Sequence, residues 1–296
     1  MITSLVEKEL FRRIELFEKA KRLSVSGLNT PSDLKDLGVY GGASGVWVNK
    51  TVTSALVDSG VAVGLLHTGK HYDDDIDDTG VLYHYPTTNR PESRDNNEIQ
   101  AIKNLAKFKL PVFVIRNVGS LKKIDLAWLN DFDDSLRICV LTFNGLDESK
   151  NSFAAPKIDT PIELFGSHRK TKTEISRAER DPHFKFHILK RFEGKCVVTG
   201  TDVIQVLDAA HIIPVANKGT ESVENGLLLT ASAHRSFDAG LWAINPDTLK
   251  IETRPGGPDI NRLKLGIDNL NHLKNKLNQE ALEYRFTNLF LKSIAS

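Results

Sequence analysis

Three polar residues in the C-terminal half have the types and the order that a metal-assisted hydrolysis needs. His211, Asn225 and His234 follow one another with gaps of fourteen and nine positions. In such a set one imidazole takes a proton from water, an amide holds that imidazole, and a second imidazole helps to hold a divalent cation on a phosphate. The order therefore predicts hydrolysis of a phosphodiester bond.

The local sequence pattern puts the two histidines on different kinds of element. His211 ends a run of β-type residues that begins at Val206, and a helix carrying His234 is predicted to open near Ser232 or Ala233. A strand fixes the imidazole of a general base on a rigid element. A strand histidine and a helix histidine can face one another across a phosphate, so we expect this pair to do so.

The sequence around these residues resembles the HNH nuclease family over about positions 186–250. The resemblance implies a ββα-metal finger in which His211 is the general base, Asn225 orients the loop or the base, and His234 is a metal ligand. It also implies Mg²⁺, or alternatively Mn²⁺, as the cation. It rests on three motifs: Ala210-His211-Ile212, Asn225-Gly226-Leu227-Leu228-Leu229 and His234-Arg235-Ser236-Phe237-Asp238.

One position departs from the family's pattern. Many HNH proteins carry an acid or a histidine immediately before the general base, and here that position is Ala210. Positions 208 and 210 of a strand point to the same side, so Asp208 can reach over the small side chain of Ala210. We therefore expect Asp208 to be the second protein ligand of the cation, together with His234.

A basic stretch overlaps the start of this region, although the formal net charge of the chain is only +1. Nine Lys and Arg residues stand against four acidic residues between positions 166 and 195. A local basic face is enough to attract nucleic acid. Lys190 and Arg191 of this stretch, and Arg235 beside the second histidine, are therefore predicted to contact DNA.

A segment in the N-terminal half places an acidic run between aromatic residues. Five of the six positions from Asp73 to Asp78 are aspartate. An EF-hand calcium loop that began at Asp73 would need glycine at its sixth position and glutamate at its twelfth, where Asp78 and His84 stand. Calcium binding of that kind is excluded, and a solvated acidic turn between two strands is the plain alternative.

The order Tyr72, acidic run, Gly80, strand, Tyr85 resembles the SRA (YDG) domain, which binds modified cytosine in DNA. The resemblance covers about positions 36–120. It implies a barrel-like domain that flips the modified base out of the duplex, where the base is otherwise hidden. Tyr72 and Tyr85 would stack on the base, at about 1–3 kcal/mol per stacked base, and Asp75 would accept a hydrogen bond from its exocyclic amine.

The sequence predicts an α+β protein, with an N-terminal β-rich SRA/PUA-like barrel domain and a C-terminal HNH ββα-metal domain with flanking helices. The predicted boundaries are 1–150 for the modified-DNA-binding domain, 151–185 for a linker and basic helical segment, and 186–296 for the nuclease domain. Apolar periodicity predicts helices at 4–23, 95–108 and 170–192, the last broken at Pro182, and from 259 to the end. Short β-rich runs predict strands at 45–48, 61–66, 80–85, 111–115, 136–141, 196–198 and 206–211.

The cysteines and the N-terminus exclude several classes of protein. Cys139 and Cys196 form no Cys-x-x-Cys pair, which excludes a cysteine-based zinc ribbon and favours a reducing compartment. The N-terminus is charged, unlike a signal peptide, and no apolar run approaches the ~20 residues of a membrane span. We therefore expect a cytoplasmic protein that binds double-stranded DNA and no membrane. Because an HNH finger cuts one strand, a double-strand break would need a dimer or two successive nicks, and of these we expect a homodimer.

Together the two resemblances predict a type IV, modification-dependent restriction endonuclease. Its reader would capture 5-methylcytosine or 5-hydroxymethylcytosine, and its HNH domain would cut nearby. Two alternatives stay open: a reader whose HNH fold no longer cuts, and an HNH nuclease directed by another feature of DNA. Histidines outside the motifs are interpreted as structural: His67, His168, His183, His187 and His272.

Overall fold

The computed structural model describes residues 2–42, 45–67, 76–86, 91–143 and 181–292. The chain divides into two compact units, Met1–Ala155 and Pro156–Ser296. Helices and sheets occur in both units, which confirms the predicted α+β class. The predicted linker lies outside the described residues up to position 180, so the domain boundaries stay a prediction.

A six-stranded sheet organises the N-terminal unit. Its strand order is β1-β2-β4-β5-β6-β3, and every neighbouring pair is antiparallel except β2 and β4, which are parallel. The strands are β1 (Val46–Val48), β2 (Ala62–His67), β3 (Gly80–His84), β4 (Val112–Val118), β5 (Leu121–Asp133) and β6 (Ile138–Phe143). The helices are α1 (Ile2–Leu23), α2 (Pro31–Asp36), α3 (Lys50–Thr53) and α4 (Glu92–Phe108).

The predicted barrel is not closed by strand pairing within the described residues, because β1 and β3 stand at opposite ends of the order. The two edges of the sheet nevertheless come close together at one backbone carbonyl, that of Gly45 next to β1. The oxygen of Gly45 accepts hydrogen bonds from the Tyr83 hydroxyl of β3 (3.0 Å) and from the Leu66 N–H of β2 (2.7 Å). The sheet therefore curls until its edges touch through a side chain, and the strands themselves do not pair there.

Both faces of the sheet are covered by apolar side chains. Alternate residues of β4 belong to different core clusters, with Val112 and Val114 on one side and Phe113 and Ile115 on the other. Side chains of α4, including Ile102, pack into the first cluster. A strand that is buried on both faces has a continuous run of apolar residues. The apolar run at 111–115 therefore predicts β4 correctly.

A buried cation ties α1 to the sheet. Arg13 is fully buried, and its guanidinium donates to the Glu9 carboxylate (2.7 Å) and to the backbone oxygens of Ala62 (2.8 Å) and Pro111 (2.5 Å). Burial lowers the pKa of Arg13, and the Glu9 carboxylate opposes that drop. Pairing is required here, since an isolated buried charge is strongly destabilising. The helix predicted at 4–23 is confirmed.

The described part of the C-terminal unit, residues 181–292, contains two small antiparallel hairpins and several short helices. The first hairpin pairs β7 with β8, and the second pairs β9 with β10. The strands are β7 (Leu207–His211), β8 (Gly226–Thr230), β9 (Trp242–Ile244) and β10 (Ile251–Thr253). The helices are α5 (Pro182–Arg191), α6 (Ala231–Asp238) and α7 (Gln279–Arg285), which a π-helix (Phe286–Leu291) continues.

One of the predicted elements near the finger was wrong in kind. Residues 196–198 form a turn closed by the Gly200 N–H on the Cys196 oxygen (2.9 Å), and the second strand of the finger is β8. Helix α5 begins at Pro182, the position of the predicted break, and Asp181 caps it by accepting from the His183 N–H (2.8 Å). The positions predicted to be helical before that break, 170–180, lie outside the described residues. Proline is favoured at a first helical position, where its missing N–H has no partner to lose.

The helix predicted from 259 to the end is also wrong up to position 278, where the chain forms turns. Leu265 and Leu270 are buried as their spacing suggested. The backbone of this segment, however, bonds to the chain around β10. The Ile251 N–H donates to the backbone oxygen of Asp268 (2.8 Å), and the Leu270 N–H donates to the backbone oxygen of Leu249 (2.9 Å). Tertiary pairing here outweighs helical periodicity. No helix in the described parts of the chain combines the length and apolarity of a membrane span.

Candidate active site

A ββα finger carries the two motif histidines. His211 is the last residue of β7 and lies opposite Gly226, the first residue of β8. Helix α6 follows β8 directly and is capped by the Thr230 hydroxyl, which accepts from the Ala233 N–H (3.4 Å). The Thr230 N–H in turn donates to the buried Sγ of Cys196 (3.3 Å). Short-range structure thus sets His211 on a strand and the second histidine on the following helix.

The imidazole of His211 is held by a stacked aromatic ring. His211 is 6% exposed and lies parallel to the Phe184 ring of α5, with ring centroids 4.2 Å apart and planes 8° apart. The glycine of the Asn-Gly-Leu motif allows this contact. A Cβ on Gly226 would lie 2.2 Å from Cδ1 of Ile188 and 2.9 Å from Cζ of Phe184. Only glycine therefore lets α5 approach closely enough to stack on His211.

Asn225 is fully buried and bonds to the loop that follows His211. Its Oδ1 accepts from the Ile213 N–H (2.8 Å), and its Nδ2 donates to the oxygens of Ile213 (3.0 Å) and Thr220 (2.8 Å). Gly219 completes the loop, because a Cβ there would lie 1.8 Å from the Ile213 oxygen. Of the two roles expected for Asn225, these contacts match orientation of the loop.

His234 lies between two carboxylates. Its Nδ1 is 3.2 Å from Oδ2 of Asp208 on β7, and its Nε2 is 3.1 Å from Oδ2 of Asp238 on α6. Burial alone would lower the pKa of His234, but the two carboxylates outweigh it and raise the pKa to about 9. The two carboxylates therefore favour positive charge at this position.

Asp238 and Arg285 belong to the same network, and neither was among the predicted site residues. Asp238 could have been predicted from the sequence, because it is the last residue of the His-x-x-Phe-Asp motif. Arg285 could not, because it lies forty-seven positions further on with no motif around it. Burial alone would raise the pKa of Asp238, but His234 and Arg285 lower it. Burial lowers the pKa of Arg285 to about 10, and Asp238 limits the drop.

The donor set around His234 suits a hard divalent cation. Asp208 supplies a carboxylate and His234 an imidazole, and Mg²⁺ is commonly held by one or two carboxylates with several water molecules completing its shell. Within the described residues no group of three or more His, Cys, Asp or Glu is placed so that it could hold a metal ion. The residues present therefore fit a water-rich Mg²⁺ or Mn²⁺ site better than a structural zinc site.

The residues predicted to contact DNA differ in their surroundings. Arg235 and Lys190 are exposed. The Arg191 side chain is only 10% exposed, and it donates to the oxygens of Val223 (2.7 Å) and Lys276 (2.6 Å) and to the Glu224 carboxylate (3.2 Å). These bonds give Arg191 a structural role within the unit, and a phosphate contact would have to compete with them.

The predicted base-binding residues are described only in part. Tyr72 and Asp75 lie outside the described residues. Tyr85 follows β3 and is 5% exposed in the sheet core, with its hydroxyl 3.4 Å from Oδ1 of Asp134. Burial, and then the nearby Cys139 and Asp134, raise the pKa of the Tyr85 hydroxyl, which stays neutral at ordinary pH. Its stacking on a base stays a prediction.

Comparison with solved structures finds weak overall similarities. The modification-dependent TagI restriction endonuclease has 18% identity and a TM-score of 0.33, with 89% of this chain and 92% of that chain covered. The SUVH5 SRA domain, solved with fully methylated CG DNA, has 21% identity and a TM-score of 0.28, covering 40% and 89%. The type IV phosphorothioation-dependent restriction endonuclease ScoMcrA has 12% identity and a TM-score of 0.28, covering 70% and 57%. Scores this low support no conclusion about activity or ligand.

The comparison of sequences with family models is more specific. No curated protein matches the chain. The family model described as HNH endonuclease matches residues 196–245. This segment contains the turn at Cys196, both strands of the finger, α6 and the three motif residues His211, Asn225 and His234. Residues 196–245 are therefore an HNH endonuclease domain, and the chain that carries them is an endonuclease.

Proposed function

We propose that this protein is a modification-dependent DNA endonuclease. Its N-terminal unit binds 5-methylcytosine or 5-hydroxymethylcytosine flipped out of double-stranded DNA, and its HNH domain hydrolyses a nearby phosphodiester bond. The observation that carries the nuclease part is the arrangement on one finger of a stacked, buried His211 and of His234 between two carboxylates. The reader part is supported by the order of Tyr72, Asp75 and Tyr85 in the sequence.

His211 acts as the general base in this proposal. Stacking on Phe184 restricts rotation of the imidazole, and its position at the end of β7 fixes its backbone. A base held in this way can take a proton from the attacking water without first being reoriented. Asn225 contributes indirectly, because its three bonds fix the loop that follows His211.

Asp208 and His234 are the proposed ligands of the divalent cation, Mg²⁺ or Mn²⁺. When bound, such a cation stabilises the negative charge that develops on the phosphate and its leaving oxygen. The second carboxylate, Asp238, would then hold the ring of His234 from the opposite nitrogen, as carboxylates behind metal-binding histidines commonly do. The exposed Arg235 and Lys190 are proposed to contact DNA phosphates, so binding should weaken as salt rises.

In the reader, Tyr72 and Tyr85 would stack on the flipped cytosine, and Asp75 would accept from its exocyclic amine. Stacking of about 1–3 kcal/mol per base offsets much of the cost of taking the base out of the duplex. Because one HNH finger cuts one strand, a double-strand break would be made by a homodimer or by two successive nicks, and we favour the homodimer.

Digestion of matched plasmids tests the whole proposal. Plasmids of one sequence carrying cytosine, 5-methylcytosine or 5-hydroxymethylcytosine are incubated with Mg²⁺ or Mn²⁺, and the cleavage ends are mapped. We expect cleavage of a modified plasmid and little of the unmodified one. Tyr85→Leu, which keeps an apolar side chain in the core, should abolish the preference because the aromatic face is lost. Equal cutting of all plasmids would remove the reader assignment, and full discrimination by Tyr85→Leu would favour another directing feature.

Metal affinity tests the ligand assignment separately. Asp208→Asn should weaken Mn²⁺ binding by about 10–100-fold, because a neutral amide replaces a carboxylate beside His234. The measurement is isothermal titration calorimetry of the DNA-free protein. Asp202→Asn, which changes a carboxylate outside the finger, is the matched control and should bind Mn²⁺ as the wild type does. An Asp208→Asn protein with unchanged affinity would remove Asp208 from the site.

A further inference from the structure

Arg285 connects the two halves of the candidate site. It lies at the end of α7, outside the segment that matches the HNH model, and is 5% exposed. Its Nη1 donates to the backbone oxygens of His211 (3.3 Å) and Ile212 (3.0 Å), at the end of β7. Its Nη2 donates to the oxygen of Phe237 (2.5 Å) and to Oδ1 of Asp238 (3.3 Å), on α6. One side chain therefore bonds to the strand of the proposed base and to the helix of the proposed metal ligand.

The geometry of a guanidinium explains why arginine stands here. The group is planar and rigid, and its two terminal nitrogens keep a constant separation. The carbon at its centre also lies 3.5 Å from the centre of the Phe237 ring, which fixes the plane of the group. The end of β7 and the end of α6 are thus held at one spacing. A lysine has a single nitrogen and cannot bridge both sets of acceptors in this way.

The bridge continues to His234. Asp238 uses Oδ1 for Arg285 and Oδ2 for Nε2 of His234. A continuous set of contacts therefore runs from the backbone of His211 through Arg285 and Asp238 to the imidazole of His234. We propose that Arg285 is a positioning residue that sets the separation between the general base and the cation-binding pair. This inference rests on the proposed roles of His211 and His234.

Loss of Arg285 should have a different effect from loss of a residue that only stabilises the fold. Arg285 bonds to the domain's own backbone and to Asp238, so its loss should lower kcat and cation affinity and leave KM for DNA unchanged. We expect Arg285→Ala to weaken Mn²⁺ binding and to lower kcat by about 10–100-fold each, the range typical for partners behind a metal ligand. Arg285→Lys should recover little of either, since charge alone does not restore the bridge.

Chemical rescue provides the decisive measurement. Arg285→Ala leaves a guanidinium-shaped space, so added guanidinium ion, at a concentration too low to unfold the protein, should restore Mn²⁺ affinity and kcat in part. Urea has the same planar shape without the charge and should not. Asn245→Ala is the matched control, because Asn245 is a structural residue of the same unit that bonds to Glu252 and to the turn at Asp247. It should lower the melting temperature and leave Mn²⁺ affinity and kcat unchanged.

The outcomes separate this inference from the function on which it rests. Unchanged Mn²⁺ affinity and kcat in a folded Arg285→Ala protein would overturn the positioning role, as would equal rescue by urea. His234→Ala is measured alongside. If His234→Ala loses Mn²⁺ and Arg285→Ala does not, only the inference about Arg285 fails. If His234→Ala binds Mn²⁺ as the wild type does, the proposed metal site fails and the inference fails with it.

Discussion

Replacing His211 with alanine is expected to lower kcat for phosphodiester cleavage by about 10²–10⁴-fold, the range that a general base contributes. Cation binding should be unchanged, because the proposed ligands are Asp208 and His234. DNA affinity should also be unchanged, since His211 is buried and stacked on Phe184. The measurement is single-turnover cleavage of a modified plasmid, with Mn²⁺ affinity determined by calorimetry on the same preparation.

Two variants control for indirect effects of this substitution. His211→Ala removes a ring from a packed site, and the void will lower stability, so the melting temperature is measured in parallel. His211→Gln fills more of that space but cannot act as a base near neutral pH, and it should be as inactive as the alanine variant. His272→Ala changes an exposed histidine of the same unit and should cut normally. Normal cleavage by the His211→Ala protein would remove the general base from the mechanism.

Asn225→Ala is expected to have the largest effect on stability, with the free energy of unfolding of the C-terminal unit reduced by about 3–5 kcal/mol. The substitution leaves the buried N–H and oxygen of Ile213 and the half-buried oxygen of Thr220 without their amide partner. Each unpaired buried group costs about 1–3 kcal/mol. Urea denaturation followed by circular dichroism measures the change.

An exposed asparagine provides the comparison for Asn225. Asn275 donates to the oxygen of Arg191 (2.6 Å) from the surface, where water can replace it. Asn275→Ala should therefore cost no more than about 1 kcal/mol. Asn225→Asp should be at least as harmful as Asn225→Ala, because it places a carboxylate against two carbonyl oxygens. A mild Asn225→Ala variant, close to Asn275→Ala, would contradict a role in holding the loop.

Local sequence was enough to predict the elements that depend on residues close to one another in the chain. Strand β7 ends at His211 and α6 begins at Ala231, each within one or two residues of the prediction. The match of the HNH model to residues 196–245 confirms the family suggested by the motifs. These features depend on short-range properties, namely a β-type run before the histidine and a threonine cap before the helix.

Strand β5 is the clearest failure in the N-terminal unit. It is the longest strand among the described residues, Leu121–Asp133, yet no strand was predicted there. Its charged residues, including Lys122, Lys123 and Asp125, conceal the alternation of apolar side chains. The strand forms because β4 and β6 pair with it on either side and complete its backbone hydrogen bonds. Its stability comes from these two distant partners and much less from its own composition.

By itself, the sequence determined the HNH endonuclease assignment and the identities of the motif residues, because these depend on residue types and on spacing over about twenty-five positions. Only the tertiary structure decided what surrounds them. Phe184 comes to His211 from an earlier helix, and Arg285 reaches the same strand from seventy-four positions away. Neither residue belongs to a motif, since contacts across such distances are specified by how the whole unit packs.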